Sequence, residues 1–206
     1  IEPLFIEEDN RPILVGERTN VIGSRKFKNM IVAGQFEEAA EIARAQVKTG
    51  AQVIDICVAN PDRDELADME QMLVYLPKKV RAPIMIDSTD AKVTELALQR
   101  LQGKCVINSI NLEDGEERFA KVAPLLRHYG GAVVVGCIDE DPANGMAVTR
   151  QRKLEVAQRS YDLLVNKYGL RPDDLIFDPL VFPVGSGDDN YIGSAVETIE
   201  GVRLIT

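Results

Sequence analysis

Tryptophan is absent from this 206-residue chain, histidine occurs once, and acids outnumber bases by 33 to 24. Each shortage closes a class of function. A net charge of −9 leaves no basic face for a nucleic-acid backbone, although a small anion can still meet a locally basic loop. No apolar run approaches the roughly 20 residues that cross a bilayer, and no leader pattern opens the chain. The three cysteines, Cys57, Cys105 and Cys137, lie far apart, which suits neither a disulfide framework nor a zinc site. They read as buried thiols of a cytoplasmic protein. The lone His128 sits between Arg127 and Tyr129, where a helix end on the surface is expected. No Ser-His-Asp or Cys-His arrangement is available. No lysine closes an apolar run, which argues against Schiff-base chemistry.

Six short apolar runs are present, and each delivers an acid or an amide at or near its end: Glu17, Asp55, Asp87, Asn108, Asp139 and Asp178. These residues recur roughly every 20 to 40 positions, about the length of one βα unit. Between the runs lie stretches of helical period, over 36–48, 63–76, 90–102, 116–129 and 149–168. The last carries a stripe of Leu154, Ala157, Tyr161, Leu164 and Tyr168. Gly50, Gly103, Gly130 and Gly169 follow helices and read as left-handed caps. Pro77 is expected to end or kink the second helix, and Pro124 to kink or split the fourth. Ser194 and Glu197 read as a capping box opening a final helix whose apolar stripe is Ile199, Val202 and Ile205. Residues 1–11 are polar and read as an arm or linker. Residues 19–28 read as a loop, basic at Arg25, Lys26 and Lys28.

Strands alternating with helices imply a parallel sheet. An open doubly wound sheet would want G-x-G-x-x-G after the first strand, and none is there. The segment from Gly185 to Asn190 lacks the third glycine and places acids where a phosphate would sit. Polar residues at all six strand ends fit better with a (β/α)8 barrel, whose chemistry gathers at the carboxyl ends of its strands. Only six βα units are visible, so the expected architecture is a TIM barrel over 12–206 that stops before strand 7. The chain does not begin with Met, which suggests a piece of a longer protein. Alternation along each strand pairs Asp87 with Met85, Asn108 with Val106, Asp55 with Val53, Asp178 with Ile176 and Glu17 with Val15, each pair facing inward. Carboxylates and an amide without His or Lys suit two ligands. One is Mg²⁺ on Asp55, Asp87 and Asp178. The other is a heterocycle rich in N–H donors, whose guanidine-like edge takes a bidentate carboxylate.

The segments GERTN at 16–20, MIDS at 85–88, INSI at 107–110, GAVVV at 131–135 and IFDP at 176–179 resemble the pterin-binding barrels. Their order and spacing are most similar to the folate-binding domain of cobalamin-dependent methionine synthases. Corrinoid iron–sulfur protein methyltransferases and dihydropteroate synthases are more distant. GERTN, followed by GSRKFK at 23–28, marks the methionine synthase branch. The resemblance implies a barrel that holds 5-methyltetrahydrofolate and presents its N5-methyl group to cob(I)alamin. It implies that Asp87, Asn108 and Asp178 grip the pterin ring and that Glu17, Asn20 and Asp55 surround it. Arg25, Lys26 and Lys28 are candidates for meeting the glutamate tail. It implies a cobalamin carried by another domain or protein, a zinc on a separate homocysteine domain of the parent, and no cofactor on this chain itself. An activating Asn is expected beyond Thr206, so no catalytic residue is assigned within the chain. A homodimer stays open, as do a dihydropteroate synthase-like enzyme and a non-catalytic binding domain.

Overall fold

A computed structural model describes residues 2–206. Six strands are joined in chain order, β1-β2-β3-β4-β5-β6, with helices between them. This unbroken order has no point of reversal, so it excludes the doubly wound sheet. It is the connectivity of the (β/α)8 class, with six βα units present. The chain divides into two compact units. One runs to Asn108 and includes Tyr129–Gly131; the other comprises Ser109–His128 and Ala132–Thr206.

The first unit contains β1 (Val15–Gly16), α1 (Arg25–Val32), α2 (Phe36–Lys48), β2 (Val53–Ile56), α3 (Glu65–Lys79), β3 (Ile84–Asp87), α4 (Ala91–Arg100) and the opening of β4 (Val106–Leu112). Its strands pair in parallel, with Gly16 opposite Ile54, Asp55 opposite Met85 and Asp87 opposite Asn108. Ile54, Ile56, Ile84 and Ile86 are buried. The helices bring small or flexible side chains to the same core: Ala39, Ala40 and Ala43 from α2, Met69, Met72, Leu73 and Leu76 from α3, Val93 and Ala97 from α4. Alternation is visible in β3, where Ile84 and Ile86 are buried while Met85 and Asp87 are half-buried on the other face. In β2 all four residues are buried, so burial alone does not separate its faces.

Two expectations for this unit are corrected. The basic stretch is a helix rather than a loop. Ser24 caps α1 by accepting from the Phe27 N–H at 3.3 Å, and Phe27 and Ile31, one turn apart, are fully buried. Pro77 does not end α3, which continues to Lys79. The missing proline N–H falls in the last turn, where the helix forfeits a single bond.

The second unit contains the rest of β4, α5 (Glu117–Tyr129, to His128), β5 (Ala132–Asp139), α6 (Arg150–Tyr161), β6 (Leu175–Asp178) and α7 (Ser194–Ile205). β5 and β6 run parallel, with Val135 opposite Phe177 and Gly136 opposite Asp178. Cys137, Ala147, Val156 and Ala157 form a core cluster, against which Phe177, Leu180 and Ile205 pack. α5 runs unbroken through Pro124, and His128 is exposed in its last turn, as expected. All three cysteines are buried and free. Gly50, Gly103, Gly130 and Gly169 all take positive φ, but Gly103 is not the expected cap: α4 ends at Arg100 with an extended Leu101 at its C-cap. At Gly169 the following Leu170 N–H reaches back to the Leu164 carbonyl at 2.9 Å, one residue further than a Schellman motif would take it, because the preceding turn is π-helical.

Three further corrections concern α6 and α7. α6 passes into a π-helical turn at Asp162–Lys167. Its buried side is Lys153, Val156, Ala157, Ser160 and Leu164: Ala157 and Leu164 of the predicted stripe are buried, whereas Leu154, Tyr161 and Tyr168 are half-buried. The capping box does not form: the N-cap of α7 is Gly193, at φ +80°. Ser194 is already helical, and Glu197 is engaged by Arg150, whose backbone N–H donates at 2.6 Å and whose guanidinium donates twice more at 3.1 and 2.5 Å. That pairing pulls the Glu197 carboxyl down to about 2. Ile199 and Val202 are exposed, because α7 turns Gly201 and Ile205 toward its neighbours instead. No helix among the described residues is long and apolar enough to cross a membrane.

Gly16 fixes how closely α2 approaches the sheet. A Cβ there would lie 2.8 Å from Gln46 Oε1, 3.0 Å from Ile54 Cδ1 and 3.1 Å from Ala51 Cβ. Gly16→Ala is therefore expected to lower stability by about 1–3 kcal/mol through overpacking, read as a lower urea midpoint at unchanged m-value.

Candidate functional site

The first unit gathers five of the six predicted site residues. β2 contributes Asp55, β3 ends in Asp87, β4 opens toward Asn108, and the segment leaving β1 supplies Glu17 and Asn20. That segment is pinned as an extension of the sheet. The Cys57 N–H donates to the Thr19 carbonyl at 3.1 Å, and the Val21 N–H donates to the Cys57 carbonyl at 3.0 Å. The buried Thr19 hydroxyl donates to the Asp55 carbonyl. Thr19 and Cys57 are thus positioning residues that no pattern in the sequence singled out.

Asn20 is nearly buried and its amide is saturated. Its Oδ1 accepts from the Ile22 and Gly23 N–H groups at 2.8 and 3.2 Å. This leaves Nδ2 to donate to Glu17 Oε1 at 2.8 Å and Asp87 Oδ2 at 3.0 Å. Because the oxygen is claimed by two backbone donors, the amide has one sensible orientation. Asn20 therefore ties two carboxylates together and keeps nothing for a ligand. Asn108 differs: it is half-buried, and its Nδ2 donates one bond, to Asp55 Oδ1 at 3.2 Å. A second N–H and the carbonyl oxygen stay available.

Oxygens of Glu17, Asp55 and Asp87 lie within 4.8 Å of one another. Asp55 is wholly buried, and its Oδ2 has no hydrogen-bond partner. Among the described residues no lysine or arginine forms an ion pair with any of the three. Glu17 is exposed and Asp87 half-buried, and the contrast of Asp55 with the other buried acids is sharp. Asp139 is bridged by Arg152 and, at 3.7 Å, by Arg159, and Asp68 by Arg63 at 2.6 Å. Burial, then the charges of Glu17 and Asp87, raise the Asp55 carboxyl to about 7. Burial also raises Asp87, against the hydrogen bonds it receives from Cys57 and Asn20. Glu17 is raised by burial, with Asp87 adding to it and the Asn20 bond opposing. Burial pushes the Cys57 thiol up to about 12, so it stays protonated and serves as a donor.

Chemically this is a cluster of acceptors that carries a proton near neutrality. It suits a ligand edge rich in N–H groups. The same oxygens would also suit a hard cation. The set brought together for that purpose is Glu17, Asp55 and Asp87, where the sequence had suggested Asp55, Asp87 and Asp178.

Asp178 belongs to the second unit. Phe177 packs on that unit's core, so Ile176 and Asp178 occupy the opposite face of β6 and are exposed. Asp178 Oδ1 accepts from the Leu180 N–H at 2.9 Å. Arg25 and Lys26 stand exposed in the first turn of α1, and Lys28 is half-buried.

The family model described as pterin binding enzyme matches residues 16–205. Among solved structures, the dihydropteroate synthase of Xanthomonas albilineans in complex with 7,8-dihydropteroate matches at a TM-score of 0.60 and 15% identity, over 82% of this chain and 61% of that one. The enzyme of Stenotrophomonas maltophilia, with imidazole bound in its active site, matches at 0.58 and 20%, over 82% and 64%. That of Coxiella burnetii, in complex with pteroic acid, matches at 0.53 and 19%, over 80% and 60%. At such identities the likeness is one of fold. The chain spans about three fifths of the length of these structures.

The raised Asp55 carboxyl sets a pH dependence. From about 4 to about 7 the folded chain holds a proton on Asp55 that the unfolded chain, at the ordinary 3.8, has released. The contribution is complete below the lower value and is lost as pH rises through the upper one. Asp55→Asn, which removes the charge but keeps the shape, is expected to raise stability above pH 7 and to flatten the fall between pH 4 and 7. Urea titrations across that range check it, and a variant curve parallel to the parent's would contradict it.

Proposed function

The chain belongs to the pterin-binding enzyme family, and on that premise we propose that it binds 5-methyltetrahydrofolate and presents the N5-methyl group for transfer to cob(I)alamin. The observation that carries the binding half is the un-neutralised acid cluster with Asn108 beside it. A pterin offers an amino group next to a ring N–H, the edge that a carboxylate accepts in two parallel bonds. It also offers a neighbouring donor and acceptor, which a carboxamide with one free N–H and one free oxygen answers. Asp87 and Asn108, opposite each other in the β3–β4 register, supply this pair, and Glu17 and Asp55 supply the negative surroundings. Asp178 enters the reading through the resemblance of its IFDP segment, and Asn20 as the clamp on Glu17 and Asp87.

The chemistry follows from the leaving group. A methyl on a tertiary amine is a poor electrophile, because the departing nitrogen would carry a negative charge. Protonating N5, or giving it a strong hydrogen bond, makes the leaving amine neutral. With Asp55 near 7, the cluster can hold a proton as well as accept N–H groups, so it accommodates the ring in either state of charge. Fixing the ring leaves the methyl facing outward in a defined direction, which converts the encounter with the acceptor into a positioned reaction. The corrinoid, carried by another domain or protein, supplies a strong nucleophile in its Co(I) form. The segments GERTN and GSRKFK favour this branch of the family.

A second reading has its own support. The three solved structures described above are dihydropteroate synthases, so condensation of a pterin diphosphate with an aryl amine is the competing transferase activity. A diphosphate-release assay with that substrate pair separates the two. Methyl transfer releases none.

Asp87→Ala and Asn108→Ala are each expected to weaken 5-methyltetrahydrofolate binding by about 1–3 kcal/mol, the cost of orphaning a buried partner. Calorimetric titration reads the loss. Unchanged affinity in both variants would end the pterin assignment.

A further inference from the structure

One buried charge in the second unit takes no part in the chemistry above. Lys153, on α6, is wholly inaccessible, yet among the described residues it forms no ion pair. Its ammonium spends its three protons on backbone carbonyls: Ala147 at 2.8 Å, Pro179, and Leu180 at 3.2 Å. The Phe182 ring covers it, with the centroid 5.0 Å from Nζ. α7 makes room for its stem with Gly201, where a Cβ would lie 2.7 Å from Lys153 Cδ. Burying an ammonium is expensive unless fixed dipoles replace its water. An apolar side chain would fill this space at lower cost, so the charge has a use beyond packing.

That use lies in what the carbonyls belong to. Two of the three come from Pro179 and Leu180, directly after Asp178. Leu180 is the one non-glycine residue among those described with positive φ, at +63°. This conformation is disfavoured for a residue with a Cβ and persists only where its surroundings over-determine it. Here they do. The Leu180 carbonyl takes Lys153 and also the Thr198 hydroxyl at 3.0 Å, while the Leu180 N–H goes to Asp178 Oδ1. Asp178 is exposed and has no other described hydrogen bond. Its carboxylate is therefore oriented, through Oδ1, by a turn whose two carbonyls Lys153 holds, and Oδ2 has no described hydrogen bond.

We propose that Lys153 is a positioning residue for Asp178: its ammonium holds the Pro179–Leu180 turn in the conformation that presents the Asp178 carboxylate to the ligand. The ligand step rests on the folate reading above; the turn itself does not.

The test is a double-mutant cycle on this chain with two readouts. Lys153→Met keeps the stem and removes the three donors. It is expected to raise the Kd for 5-methyltetrahydrofolate roughly tenfold, the scale of one lost hydrogen-bond partner. In an Asp178→Ala background the same change is expected to shift Kd less than threefold, because the residue it acts through is gone. In the ligand-free chain, amide exchange at Leu180 is expected to quicken in Lys153→Met. An unchanged Kd in Lys153→Met, or a loss that adds in full to that of Asp178→Ala, overturns the proposal. Should Lys153→Met not fold, Thr198→Val removes the second donor to the Leu180 carbonyl, and faster Leu180 exchange without loss of global stability is the expected result. Should the parent chain not bind 5-methyltetrahydrofolate, the folate reading falls on its own. Leu180 exchange then decides the role of Lys153, an unchanged rate counting against it.

Discussion

Three carboxylates held within 4.8 Å of one another without a cation beside them form the constraint around which the first unit is arranged. Like charges at that separation repel strongly in a low-dielectric setting, so something must fix them. The fixing is done by neutral donors. Asn20 bridges Glu17 and Asp87, and Asn108 holds Asp55. Asn20 in turn is locked by two backbone N–H groups, and its segment is strung along β2 through Thr19 and Cys57. The rigid part of the assembly is therefore backbone, and the strain is confined to a few side-chain oxygens. Neutral amides orient the acids without discharging them, which an arginine would do. The cluster stays ready for a ligand that brings its own protons.

Much of this arrangement was legible in the sequence because strand ends are a one-dimensional feature. An apolar run that stops at an acid says where that acid lies along the strand, and parallel pairing then brings neighbouring ends level. Thus Glu17, Asp55, Asp87 and Asn108 could be grouped before any coordinates. What the pattern could not convey was the division of labour within the group. Asn20, on the segment leaving β1, and Asn108, in β4, are the same residue type in one cluster, yet one amide is saturated and the other half free. Only the local backbone decides that: two N–H groups at Ile22 and Gly23 turn toward Asn20 Oδ1.

The helices show where periodicity misleads. Over 149–168 the apolar residues Leu154 and Tyr161 drew the predicted stripe to one side, whereas the buried side carries Lys153 and Ser160. Hydrophobicity assigns a lysine to water, so a lysine that binds carbonyls in the interior rotates the helix away from expectation. The same reasoning failed at Ser194 and Glu197. Their spacing suited a capping box, but a cap competes with any stronger partner for the acid, and a doubly bonded guanidinium outranks a backbone N–H. At 25–32 the three basic residues hid a short helix, because its buried content is only Phe27 and Ile31.

The contrast between two sets of acids, one paired with arginines and the other built on the buried Asp55 with the half-buried Asp87 and the exposed Glu17 beside it, gives the functional reading its force. Asp139 and Asp68 are met by arginines, which is how a structural acid is accommodated: the charge is balanced within the fold, and the pair does nothing further. Glu17, Asp55 and Asp87 are denied that balance, and Asp55 keeps one oxygen with no partner at all. A fold loses free energy by leaving such a group unsatisfied, and a mutation to asparagine or to an apolar residue would relieve it. Where an uncompensated cost is concentrated at one cluster, beside one amide, Asn108, with a donor to spare, its compensation comes from a molecule outside the chain. Binding then recovers what folding left unpaid. That argument favours a ligand presenting several N–H groups over a scaffold role. It also explains why the cluster contains no lysine: a built-in cation would satisfy the acids in the empty protein and remove the free energy that ligand binding draws on.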